Sequence, residues 1–123
     1  MADEKTDLLA CLWDEFNAMR FPNGWYDQEP EGTCLVTLGA VLTGFAASVL
    51  DGPSLGARHR EHLRRRIVLL GELLPTFAVD GYASRYFVAL YRMAVLTEEI
   101  DLEREEIDLE REEIDLERGG GGI

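Results

Sequence analysis

Apolar residues recur at intervals of three and four along most of the chain, which is the spacing of amphipathic helices. Within the first 20 residues they share one helical face: Leu8, Leu9, Leu12, Trp13, Phe16 and Met19. Asp7 is a suitable N-cap, and Pro22 with the following Asn-Gly pair breaks the pattern. We therefore expect a first helix over residues 7–20, followed by a loop.

The second apolar segment, residues 33–50, contains no charged side chain. Its largest side chains again follow helical spacing: Leu35, Leu38, Leu42, Phe45 and Val49. The length alone would suit a membrane span. The segment is rich in Thr, Gly, Ala and Ser, however, and no other segment could accompany it through a bilayer. The pattern favours the buried centre of a helical bundle, and no contact with a membrane is expected.

Two further helices are predicted after the "DGPS" turn, where Ser54 is the expected cap. The third covers residues 55–74 and ends at Pro75. Its inward residues are Leu63, Ile67, Leu70 and Leu74, followed by Phe77. The fourth begins near Asp80, and its apolar line comprises Val79, Tyr82, Tyr86, Ala89, Met93, Leu96 and Ile100.

The heptapeptide EEIDLER occurs three times without change over residues 98–118. Its Ile positions continue the line of Tyr86 and Met93, and its Leu positions continue the line of Val88 and Val95. We therefore predict one helix from about residue 80 to 118. The expected organisation is an all-α, four-helix bundle-like domain at 1–97, the repeat at 98–118 continuing the last helix, and a flexible Gly-rich tail at 119–123.

The repeat presents two narrow apolar lines on nearly opposite sides of the helix, because its Ile and Leu residues are separated by two and five positions. A coiled coil would separate them by three and four. A helix of this kind can touch two neighbours at once, which suits self-assembly. The candidate assembly residues are Ile100, Leu102, Ile107, Leu109, Ile114 and Leu116. The alternative is a solvated single helix stabilised by its Asp–Arg pairs.

The net charge of −12 is concentrated in the repeat, whose three copies contribute −9. This acidity favours a basic protein partner. No secretory signal is visible, so a cytoplasmic location is expected. Cys11 and Cys34 are too few and too far apart for a disulfide framework, and we expect both thiols to be reduced and buried.

The loop after the first helix contains the best candidate for a partner-binding site. Large aromatics surrounded by carboxylates are typical of an interface with a basic protein. The residues concerned are Trp25, Tyr26, Asp27, Glu29 and Glu31. Packing of Trp25 as a lid over the end of the bundle is the alternative.

A basic patch follows in the third helix, formed by Arg58, Arg60, Arg64, Arg65 and Arg66. Arginine near a helix N-terminus opposes the helix dipole, so helix stability does not explain the patch. It could dock an acidic surface, such as the repeat of a neighbouring molecule, bind phosphate or nucleic acid, or remain solvated. No aromatic interleaving or known motif favours nucleic acid. His59 and His62 lack further ligands for a metal, and His59 is expected to pack at the core boundary.

No nucleotide-binding, metalloprotease or hydrolase motif is present, so neither enzymatic activity nor a cofactor is expected. The leading interpretation is a small acidic cytoplasmic protein-binding module, such as an adaptor, an inhibitor or an immunity-type protein. The alternative is a structural subunit that forms homo-oligomers through the repeat helix.

Overall fold

The computed structural model describes residues 2–52 and 54–121, with side chains for residues 4–52 and 54–112. Over these residues the chain is all-helical and contains no β-strand, which confirms the predicted class at that level. The four α-helices are α1 (Ala2–Ala18), α2 (Leu35–Asp51), α3 (Ala57–Leu73) and α4 (Gly81–Gly121). Short 3₁₀ helices lie at Pro30–Gly32 and Leu74–Val79.

Two of the predicted helix caps are wrong. Asp7 lies inside α1, which begins at Ala2. The N-cap of α3 is Gly56 rather than Ser54, and its φ of 88° is accessible because glycine lacks a Cβ atom. The fourth helix begins near Asp80, as expected. The Oδ1 of Asp80 accepts hydrogen bonds from the backbone N–H groups of Tyr82 and Ala83, both at 3.1 Å.

The hydrophobic core lies around α4, which contacts α1, α2, α3 and the second 3₁₀ helix. The predicted apolar faces of α2 and α3 are largely the buried ones. Leu73 is buried in place of the expected Leu74, and Val79 is 88% exposed. The main buried side chains are Leu9, Phe16, Leu35, Leu38, Leu42, Val49, Leu63, Ile67, Leu70, Leu73, Phe77, Phe87, Leu90, Met93 and Ile100.

Close packing between α3 and α4 depends on Gly71. A Cβ atom at this position would lie 3.3 Å from Cε2 of Tyr91, tighter than an ordinary contact.

The two cysteines lie outside the core, so the prediction that both are buried was wrong. Cys11 is on the face of α1 opposite Leu9, and Cys34 immediately precedes α2. Of the helices described, α2 included, none is long and apolar enough to cross a membrane.

Candidate functional site

The first copy of the repeat, residues 98–104, packs against the domain. Ile100 and Asp101 are both fully buried, and Ile100 belongs to the same hydrophobic cluster as Met93 and Leu90. Thr97, immediately before this copy, is also buried, and its hydroxyl donates to the carbonyl of Met93 at 2.8 Å. The packed unit therefore extends past the expected boundary at residue 97, and Ile100 is not available as an assembly residue in this fold.

Asp101 lies at the N-terminal end of α3. Its Oδ1 accepts a hydrogen bond from the backbone N–H of Leu55 at 2.6 Å, and its Oδ2 accepts one from Nε of Arg60 at 2.5 Å. A carboxylate at this end of a helix is favoured by the helix dipole. It also compensates Arg60, whose side chain is only 15% exposed. The hydrogen bond to Asp101 is the main reason that the pKa of Arg60 is raised.

Arg104 lies at the C-terminal end of α2, whereas Asp101 lies at the N-terminal end of α3. Its Nη1 donates to the carbonyl oxygens of Val49 at 2.6 Å and Gly52 at 2.9 Å. These carbonyls belong to the last turn and C-cap of α2, where a cation is favoured by the dipole. One heptapeptide thus places an acid at the start of α3 and a base at the end of α2.

Further ion pairs connect α4 with α1 and α3. Lys5 of α1 contacts the carboxylates of Glu103 and Glu99, the latter at 3.8 Å. The hydrogen bond to Glu103 is the main reason that the pKa of Lys5 is raised. On the other side, Arg64 of α3 lies 3.7 Å from Glu98. These pairs are more exposed than the ion pair between Asp101 and Arg60, so each contributes less to stability.

The second copy, residues 105–111, has a different environment from the first. Glu105 still reaches Nη2 of Arg60 at 3.2 Å. Every side chain from Glu106 to Glu112 is exposed, with Ile107 at 44% and Leu109 at 55%. Leu102 in the first copy is also exposed, at 42%. The candidate assembly residues Ile114 and Leu116 lie outside the side chains that the structure describes.

The basic patch is divided among several contacts. Arg60 and Arg64 meet the repeat of their own chain, whereas the sequence suggested the repeat of a neighbouring molecule. Arg65 pairs with Glu61 at 2.8 Å, and Nε of Arg66 donates to His62 at 3.1 Å. Arg58 is exposed.

The two histidines of α3 share one aromatic neighbour. The rings of His59 and His62 lie 6.2 and 5.4 Å from that of Phe45, centroid to centroid. Both histidines are exposed, although His59 also lies 3.4 Å, through Nδ1, from the carbonyl oxygen of Leu55. The expectation that His59 packs at the core boundary is therefore met only in part. Among the described residues, no group of three potential ligands is placed to hold a metal ion.

The aromatic loop is anchored to the N-terminus of α4 by Trp25, as in the lid arrangement. Its Nε1 donates to Oδ2 of Asp80 at 3.1 Å, and its ring lies 5.0 Å from that of Phe77. The pKa of Asp80 is lowered, mainly by the backbone hydrogen bond from Ala83 and then by the hydrogen bond from Trp25. Tyr26 is 60% exposed. The three acidic residues of the predicted site are exposed as well: Asp27, Glu29 and Glu31.

A shallow groove of about 260 Å³ runs between α1 and α4. Its apolar lining comes from Leu8, Leu12, Tyr91, Val95 and Leu96, and its charged rim from Arg92 and Glu99. Leu8 is 53% exposed, so part of this apolar lining faces solvent.

Asp101 and Arg104 were missed as key residues by the sequence reasoning, although a signal existed. Arginines near the N-terminus of α3 oppose its dipole, so an acid is favoured nearby.

Comparison with protein-family models, curated proteins and solved structures finds no match for this chain.

Proposed function

We propose that this protein is a small acidic cytoplasmic module that acts by binding another protein rather than by catalysis. Its binding element is the part of α4 that continues through the repeat beyond the packed domain. The observation that carries the proposal is the exposure of every side chain from Glu106 to Glu112. Ile107 and Leu109 offer apolar contact there, and the surrounding carboxylates favour a partner with a basic surface.

The aromatic loop adds a second, smaller acidic surface. Trp25 holds this loop in place, and Tyr26 with Asp27, Glu29 and Glu31 stays accessible. A partner that bound here would meet one exposed aromatic side chain instead of two. For this reason we place the main binding surface on α4.

The test compares three purified baits: the full chain, the double variant I107S/L109S and the control V79S. Val79 is 88% exposed and lies away from the repeat, so the control removes an apolar group that is even more accessible than Ile107 or Leu109. A partner retained by the full chain and by V79S, lost with the double variant, and bound again from purified components would support the proposal. Equal capture by all three baits would contradict it.

A further inference from the structure

An apolar line runs along the outer face of α4 from the domain into the repeat. It consists of Val88, Val95, Leu102 and Leu109, which recur every seven residues and so lie nearly above one another. Val88, Leu102 and Leu109 are 38%, 42% and 55% exposed. Val95 lines the groove between α1 and α4. Val95 is partly buried against the core, whereas Val88, Leu102 and Leu109 are exposed.

A charged line lies beside the apolar one and changes sign along the helix. It comprises Arg85 and Arg92 in the domain, followed by Glu99 and Glu106 in the repeat, and all four are exposed. Arg85 lies near the ring of Tyr82, 6.0 Å from its centroid, and Glu99 has the distant contact with Lys5 at 3.8 Å. The outer face of α4 is therefore basic in its first half and acidic in its second.

We propose that this face binds the same face of a second copy of the chain, with the two α4 helices antiparallel. A twofold axis near Val95 places that residue opposite its own equivalent. Val88 then falls opposite Leu102 of the second copy. Val88, Val95 and Leu102 of each helix are covered by the same residues of the other, as a self-complementary twofold interface requires, whereas Leu109 falls opposite Gly81.

The charged line independently selects the same alignment. Antiparallel pairing about Val95 sets Arg92 near Glu99 of the second copy, and Arg85 near Glu106. Each pair occurs twice by symmetry. A parallel alignment in register would instead set Arg against Arg and Glu against Glu, which is unfavourable.

The groove explains how the second copy can approach. Leu8 and Leu12 of α1 extend the apolar surface to one side of Val95, so a side chain of the second copy can enter between α1 and α4. This inference goes beyond the proposed function, because it uses the outer face of α4 and leaves Ile107 free for another protein. In the dimer, the acidic Glu99 and Glu106 meet the basic first half of α4 in a second molecule.

The experiment measures the dissociation constant of the dimer by sedimentation of the full chain over a wide concentration range at low salt. R92E and E99R should each weaken the dimer by about tenfold, because two attractive pairs become repulsive. The double variant R92E/E99R should restore it, because the swapped charges face each other again. In a parallel dimer the double variant would restore nothing, and that result would overturn the proposal.

Two apolar variants provide a matched control. L102S should abolish the dimer, whereas I107S should retain it, because Ile107 lies on the other side of the helix. A chain that stays monomeric, or a dimer indifferent to R92E, would overturn the inference. The proposed function is tested separately. If the chain is monomeric but binds a purified partner through Ile107 and Leu109, the dimer is refuted and the proposed function stands. If the chain is monomeric and binds no such partner, both proposals are refuted.

Discussion

Replacing Asp101 by Ala should destabilise the domain strongly, because the change leaves two donors without their acceptor. The carboxylate is fully buried and holds both the backbone N–H of Leu55 and the guanidinium of Arg60. Removing one member of a buried ion pair costs about 3–5 kcal/mol, because the other charge stays buried without compensation.

The surroundings of Arg60 place the expected loss in the free energy of unfolding within this range. Its side chain is 15% exposed and can still reach Glu105, whose own side chain is 35% exposed. Part of the charge therefore keeps an acidic neighbour after the substitution. We expect a loss of about 3 kcal/mol in the free energy of unfolding, near the lower end for buried pairs.

The exact repeat supplies a matched control in D108A. Asp108 occupies the same heptad position one copy later, but it is exposed, and its contact with Ser54 is a long one of 3.5 Å. Its replacement should change stability by no more than about 0.5 kcal/mol. Urea unfolding followed by fluorescence reports on the domain, since both tryptophans, Trp13 and Trp25, pack against its core. Equal losses in the two variants would refute the assigned role of the first copy.

Truncation should separate the first copy from the others. A chain ending at Glu105 should keep the urea midpoint of the full chain. A chain ending at Thr97 lacks Ile100, so its free energy of unfolding should fall by several kcal/mol. Equal midpoints for the two truncated chains would show that the first copy is dispensable. The lowered pKa of Asp80 predicts acid sensitivity, because its stabilising contribution is complete above the ordinary value of 3.8 and is lost as the pH falls through the lower folded value. Urea midpoints measured through this range should fall more steeply for the natural chain than for D80N, and parallel profiles would contradict the assignment.

Helical periodicity predicted the helices and most of the core, because the burial of one face depends on local spacing. The exact ends were less predictable. α1 begins at Ala2 instead of Asp7, and α3 begins after Gly56 instead of near Ser54. The carboxylate of Asp101, 46 residues distant from Leu55, serves the N-terminal end of α3. The arginines near the start of α3 signal that an acid is favoured there, but no rule based on neighbouring residues identifies an acid so far along the chain.

The candidate surfaces divide in the same way. The sequence by itself determined the apolar and charged lines of α4, since these follow from a seven-residue spacing on any helix. It could not distinguish Ile100 from Ile107, because their copies of the repeat are identical in sequence. Only the tertiary structure decided between them: α2 ends and α3 begins beside the first copy, so Ile100 is buried while Ile107 remains 44% exposed.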